Sequence, residues 1–172
     1  MKEKITLFVT ISLVMLSLSC TDKTEKSTST SLNEITQLLD SLNTAAANAD
    51  YSKYFNYFTE TATFNGTDAT ENWDKKAYMI WAKPYFDAKT TWNFKAVKRN
   101  VYFGEHDNIA WFEELLNTQM KICRGSGVVV KQNGKWKIQQ YVLSMTIPNS
   151  KLDSIVALKA LEEDSILLKL KK

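Results

Sequence analysis

The sequence predicts an α+β domain in which helices come first and cover one face of a strongly bent antiparallel sheet. Three observations carry that prediction. Apolar residues recur at helical spacing up to residue 90 and alternate afterwards. Asn133-Gly134 stands between two β-rich runs, and a type I′ hairpin turn favours such a pair because both central residues take φ > 0. All aromatic residues except Phe8 fall between Tyr51 and Tyr141, so the largest apolar areas, and with them the core, belong to that stretch.

The chain has 172 residues, 22 Lys plus Arg against 19 Asp plus Glu, one His and two Cys. That length suits one domain with appendages. A net charge of +3 argues against a dominant basic field, so nucleic acid is not an expected partner. One His and two Cys supply neither a zinc cluster nor a disulfide scaffold. No metal site and no cofactor are expected.

Lys2 and Lys4 precede an apolar run over residues 5–18, shorter than the roughly 20 residues a membrane-spanning helix needs. Residues 1–19 therefore read as an export signal. Leu16-Ser17-Leu18-Ser19-Cys20 resembles the lipobox of bacterial lipoproteins. The resemblance implies that Cys20 is lipidated and that the protein is exported and lipid-anchored in the bacterial cell envelope, touching the membrane through that lipid only. Residues 20–30 form the lipidated Cys and a tether rich in Ser, Thr and charge. Such a segment cannot offset its ordering entropy and is expected to be flexible, with a reach of roughly 17 Å over ten residues.

The domain proper spans residues 31–149. Ser31-Leu32-Asn33-Glu34 fits a capping box. Leu32, Ile35, Leu38, Leu39, Leu42 and Ala46 follow at helical spacing to about Ala49. Asp50 can cap a short second helix with an aromatic face of Tyr51, Tyr54, Phe55 and Phe58. A third helix starts near Asp74, buries Ala77, Ile80 and Trp81, and is stopped or kinked by Pro84. Beyond Thr90, Trp92, Phe94 and Ala96 alternate with Asn93, Lys95 and Val97, and β-rich runs follow over residues 109–116, 123–131 and 135–147. Residues 104–108 read as a further hairpin loop. Residues 150–172 lack aromatics, Gly and Pro and form a C-terminal helical extension, capped by Ser150. Its apolar residues lie on two sides, which favours docking on its own domain or on a second subunit over a membrane surface.

Phe64-Asn65-Gly66-Thr67-Asp68-Ala69-Thr70-Glu71-Asn72-Trp73 resembles the Gly-Thr-Asp…Glu…Trp segment of SnoaL-like domains, within the nuclear transport factor 2-like superfamily. Ala110-Trp111-Phe112, Arg124-Gly125-Ser126-Gly127, Gly134-Lys135-Trp136-Lys137-Ile138 and Leu143-Ser144 with Pro148-Asn149 follow in that family's order. The resemblance implies a cone-shaped fold, three N-terminal helices packed on a curved antiparallel sheet, with a pocket inside the cone. It implies a fold more firmly than a reaction, because the superfamily holds isomerases, cyclases, dehydratases and non-catalytic domains. Its ketosteroid isomerases use a carboxylate base with Tyr and a protonated Asp. No motif transfers those positions here, although Tyr54 or Tyr57 can sit on a pocket-lining helix.

Ideal two-residue turns place Ser126 opposite Tyr141, Arg124 opposite Leu143 and Glu113 opposite Arg124. One face then carries Trp111, Glu113, Arg124, Ser126, Tyr141 and Leu143, and a β-bulge would exchange the two sets. That face has the mixed composition of a ligand pocket, with Trp73, Trp81, Trp92 and Tyr54 as further wall. Glu113 offers a base or acceptor, Arg124 an anion-holding group and Tyr141 a donor. Equally, Glu113 and Arg124 form an ordinary cross-strand ion pair on an outer or subunit-facing surface. Asp68 is a weaker catalytic candidate beside its ordinary role of turning the chain. His106, in a surface turn, has no metal role, and Cys123 reads as a small buried hydrophobe.

Two readings of function follow. The first is a lipid-anchored envelope protein that holds a small, partly apolar ligand or a protein partner without catalysis, as a monomer or homodimer. The alternative is a small cofactor-independent enzyme, isomerase-, cyclase- or hydrolase-like, acting on a hydrophobic substrate with Glu113 or Asp68 as acid/base.

Overall fold

The computed structural model describes residues 19–106 and 108–171. Residues 1–18 of the expected export signal over 1–19, and the Cys20 side chain, lie outside what it describes. Helix α1 spans Ser19–Ala47 and α2 Tyr51–Asn56, followed by strands β1 Phe58–Asn65 and β2 Asn72–Asp74. Helix α3 (Lys75–Asp87) leads into a meander of β3 Lys95–Phe103, β4 Ile109–Thr118, β5 Lys121–Gln132 and β6 Lys135–Met145. A 3₁₀ turn, Asn149–Lys151, opens the C-terminal helix α4, Leu152–Leu170.

Helix α1 begins twelve residues ahead of the expected cap at Ser31, so residues 20–30 are helical rather than a flexible tether. No Gly or Pro interrupts residues 19–47, and adding residues to a helix already nucleated on the core costs little. The expected stripe from Ile35 to Ala46 is buried, while Leu32 turns outward. Ala49, at φ 53°, ends the helix in the left-handed region, and its N–H bonds Ala46 O at 2.9 Å. Asp50 then caps α2 by accepting from Lys53 N at 3.0 Å.

Asp74 caps α3 in the same way, accepting from Ala77 N at 2.7 Å. The helix runs on through Pro84 to Asp87, so Pro84 does not stop it. It buries Tyr78, Ala82 and Phe86, whereas Ile80, expected inside, is 68% exposed. The stripe is displaced because the aromatics dominate: Tyr78 and Phe86 have more area to hide than Ala77 and Ile80.

The six strands form one curved sheet in the order β2-β1-β6-β5-β4-β3. It is mixed rather than antiparallel, because β1 runs parallel to β6. Strands β1 and β2 were not evident in the sequence. The aromatic helical spacing of Tyr54, Phe55 and Phe58 overlaps the start of β1 and masks the alternation of Ala62 and Phe64 with threonines. Among the described residues four helices accompany the sheet, and α2 has only 6 residues. Asn133 and Gly134, at φ 51° and 76°, form the expected two-residue turn, and Gln132 pairs with Lys135.

Beyond that turn the register departs from the ideal. Val128 pairs with Gln140 but Val129 with Ile138, so Gln139 is an extra residue in β6. Strand β1 holds this bulge in place: Thr59 Oγ1 donates to Gln139 Oε1 at 2.9 Å, and Gln139 Nε2 donates to Thr61 O at 3.0 Å. Past the bulge, Tyr141 and Leu143 turn to the helix-covered face, and Val142 turns outward. The preceding loop is Gln119-Met120, so Glu113 lies opposite Ser126 and Arg124 opposite Leu115. Arg124 pairs with Ser144, not Leu143, and Ser126 with Val142, not Tyr141.

No residue of α4 is buried, and Leu161 is 87% exposed. The helix therefore does not dock on its own domain. Lys151, without a side-chain cap, stands at its N-terminus in place of Ser150.

Candidate functional site

The helix-covered face of the sheet is filled with rings. Tyr78 of α3 lies at their centre, stacked on Phe64 of β1 (centroids 4.1 Å apart, 14° between planes) and on Trp73 of β2 (5.7 Å, 13°). Trp81 stands 4.7 Å from Trp73, and Trp92 stands 6.4 Å from Tyr78 at 20°. Stacking on this scale adds directional attraction to simple area burial and fixes the walls.

Between these rings a cavity of about 170 Å³ remains. Phe64, Trp73, Tyr78, Trp81 and Trp92 wall it, Phe94 and Leu143 add aliphatic and aromatic surface, and Gln119 and Met120 of the β4–β5 turn border it. Its other border is the β1–β2 loop, with Gly66, Thr67 and Glu71. That loop closes on itself: Gly66 N donates to Glu71 O at 2.9 Å, and Asp68 N donates to Glu71 Oε2 at 3.2 Å. A side chain at Gly66 would collide with Glu71 Oε2, so the glycine is what lets this carboxylate lie against the loop.

Polar groups beneath the cavity are locked. Tyr78 OH and Tyr54 OH share a 2.9 Å hydrogen bond in the core. Burial pushes both phenols well above their usual pKa, so each stays protonated at neutral pH and neither serves as a base. Tyr141 OH donates to Glu114 Oε1 at 2.9 Å, and burial likewise raises the Tyr141 pKa, helped by the Glu114 charge. Glu114 is 2% exposed and receives Arg99 Nε at 2.8 Å on its other oxygen. Arg99 Nη1 in turn reaches Asp40 Oδ1 at 2.9 Å, tying β3 and β4 to α1.

The residues singled out from the sequence divide between the two faces. Trp73, Trp81 and Trp92 wall the cavity, and Tyr54 lies behind Tyr78. Trp111 is 48% exposed on the opposite face, stacked on Tyr102 at 5.9 Å. Glu113, Arg124 and Ser126 share that outer face. Glu113 and Arg124 make no ion pair; Glu113 accepts from Asn100 Nδ2 at 3.0 Å and Tyr102 OH at 3.4 Å. Of that set Tyr141 and Leu143 face inward, because the Gln139 bulge reverses them. Asp68 is exposed and turns the chain, accepting from Thr70 N at 2.8 Å; the Thr70 hydroxyl and N–H hold its pKa below the usual carboxylate range. Tyr57 borders a different feature, an open polar groove of about 410 Å³ between α1 and the β5–β6 turn.

Glu71, Glu114 and Arg99 had not been singled out as site residues. A signal for Glu114 was present in Gly125-Ser126-Gly127. Alternate glycines in a strand mark where large neighbours need room, and a Cβ at Gly125 would strike both Tyr141 OH and Glu114. Cys123 is buried, as expected. Among the described residues no group of His, Cys, Asp and Glu could hold a metal, and no helix is long and apolar enough to cross a membrane.

The architecture is widely shared among solved structures. A nuclear transport factor 2-like protein of unknown function from Pseudomonas putida is 15% identical, with a TM-score of 0.58 over 68% of this chain and 87% of its own. A candidate scytalone dehydratase from Novosphingobium aromaticivorans is 12% identical, with a TM-score of 0.59 over 72% and 89%. A domain of unknown function with a cystatin-like fold from Nostoc punctiforme is 16% identical, with a TM-score of 0.58 over 83% and 97%. Among curated proteins none matches the chain. The SnoaL-like domain family matches residues 35–148, which hold the sheet, α2, α3, the packed part of α1 and every wall of the cavity. The chain shares the fold of the nuclear transport factor 2-like protein and belongs to the SnoaL-like domain family.

Proposed function

We propose that this protein holds a small, partly apolar ligand in the aromatic cavity, as a non-catalytic lipid-anchored component of the bacterial cell envelope. The observation that carries the reading is a preformed chamber of rings with a single carboxylate at its edge. At about 170 Å³ it is smaller than most drug-sized sites and close to the roughly 150 Å³ apolar cavity that takes up one benzene. A ligand of one ring, or of similar bulk, fits that space. For catalysis the chamber has one carboxylate, Glu71, but its nearest phenol, Tyr78, is held protonated and engaged by Tyr54. That leaves the carboxylate without a second acid/base group beside it, which supports binding over turnover.

The five tryptophans supply a test with its own controls. Titration with phenol, followed by the indole N–H resonances, is expected to move those of Trp73, Trp81 and Trp92. Trp111 on the outer face and Trp136 against Phe103 should stay in place. Uniform shifts, or none in the first three, would remove the cavity as a binding site.

The anchor reading rests on Lys2, Lys4, the apolar run and Cys20. With α1 starting at Ser19, the link from Cys20 to the buried Ile35 is a helical arm of about 22 Å rather than a loose tether. A homodimer is proposed on a separate observation. Helix α4 exposes leucines on both sides and buries none, an arrangement that calls for a second surface. Native mass spectrometry of detergent-extracted protein is expected to show a lipid mass on Cys20 and two subunits. An unmodified Cys20 would end the anchor proposal, and a monomer would end the dimer.

A further inference from the structure

We propose that the cavity selects an organic cation, with an onium group of trimethylammonium type against the aromatic walls and its charge facing Glu71; this rests on the ligand-binding reading above. Three features of the site point to a positive ligand.

The first is the sign of its only formal charge. Among the residues that line the cavity there is no Lys, Arg or His, and Glu71 is the sole ionisable group other than Tyr78, whose phenol stays neutral. An anionic ligand would meet a carboxylate and no compensating cation. The nearby Lys75 is committed elsewhere, donating to Glu60 Oε1 at 2.8 Å and to Phe58 O at 3.4 Å.

The second is the state of that carboxylate. Glu71 is half-buried, and its Oε2 takes the Asp68 N–H. Among the described residues its Oε1 has neither a hydrogen bond nor an ion pair. Its field reaches the cavity floor, since it contributes to the raised pKa of Tyr78. A carboxylate held at the edge of a ring-lined chamber without a cationic partner is poorly compensated until a positive group arrives.

The third is the wall chemistry. Trp73, Trp81, Trp92 and Tyr78 line the cavity with neighbouring ring planes 13–32° apart, and the faces of such rings attract cations, Trp most strongly. Aromatic enclosure plus one carboxylate is how onium groups are recognised when no hydrogen bond to the cation is possible. A trimethylammonium group has about the bulk of a tert-butyl group, so size admits both and charge must discriminate.

The test therefore compares choline with 3,3-dimethyl-1-butanol, its neutral carbon isostere, and with pivalate, an anion of similar bulk. Binding is read from the indole N–H signals of Trp73, Trp81 and Trp92. Choline is expected to bind about tenfold or more tightly than the alcohol, with pivalate weakest. Glu71→Gln keeps an acceptor for Asp68 N and is expected to abolish most of the choline advantage while leaving the alcohol unchanged. That unchanged alcohol binding also establishes that the variant is folded.

If the alcohol binds as tightly as choline, the cation proposal is overturned and the ligand-binding reading stands. If phenol moves the indoles but none of the three probes does, the cation proposal again fails alone. If no probe moves them, both readings fall. A choline advantage that survives Glu71→Gln would overturn the role given to this carboxylate.

Discussion

Replacing Arg99 by Met is expected to destabilise the domain by about 3–5 kcal/mol, the usual cost of stranding one member of a buried ion pair. Glu114 is sealed on the inner face of β4, with its side chain 1% exposed and that of Arg99 at 9%. Arg99→Met keeps most of the aliphatic stem but leaves Glu114 with Tyr141 as its remaining donor. Urea unfolding of both proteins measures the difference. A loss below about 1 kcal/mol would mean that the carboxylate finds another partner or water. The double variant Arg99→Met with Glu114→Gln should recover most of the loss, because the amide carries no charge and still accepts from Tyr141. Asp40→Ala provides the contrast. It removes the outer arm of the same network, but that carboxylate is 61% exposed, and an exposed pair contributes only about 0–1 kcal/mol.

Deleting Gln139 is expected to be tolerated, although it shortens a central strand. The bulge sets the parity of β6, with Trp136 and Ile138 inward before it and Tyr141 and Leu143 inward after it. Removing the extra residue makes the alternation continuous, so all four stay inward and Tyr141 keeps Glu114. What is lost is the Gln139 side chain with its bonds to Thr59 and Thr61, about 0.5–1.5 kcal/mol each. Gln139→Ala loses the same bonds at constant length, so urea unfolding of the two variants should give similar stabilities. A deletion variant less stable than Gln139→Ala by more than about 3 kcal/mol would show that β1 needs the bulged backbone itself.

Both predictions concern residues around which the sequence reading divides. The helical stripe of α1, the caps at Asp50 and Asp74, and the Asn133-Gly134 turn are local matters. Each depends on spacing or on a backbone preference within a few residues, and the structure has them where the spacing predicts. The alternation of β4 and β5 is equally local, so Trp111, Glu113, Arg124 and Ser126 do share one face. Which face it is follows from what covers the sheet. Helices α1 and α3 bury the opposite side, and the residues proposed as pocket wall on polarity alone became the exposed surface.

The inward position of Tyr141 was beyond local reasoning altogether. It depends on a bulge whose side chain is tied to β1, a strand some eighty residues earlier that pairs in parallel with β6. A hydrogen bond of that separation leaves no periodic trace in either segment. Glu71 illustrates the same limit at shorter range. The motif around Gly66 and Trp73 marks the segment, but the chain must fold before α3 and the β4–β5 turn enclose it beside the rings. By itself, then, the sequence determined the family, the class of elements and the aromatic supply of the core, because these follow from composition and short-range preference. Tertiary packing alone decided the parity of β6, the covered face and the carboxylate that borders the cavity, because each results from contacts between segments distant in the chain.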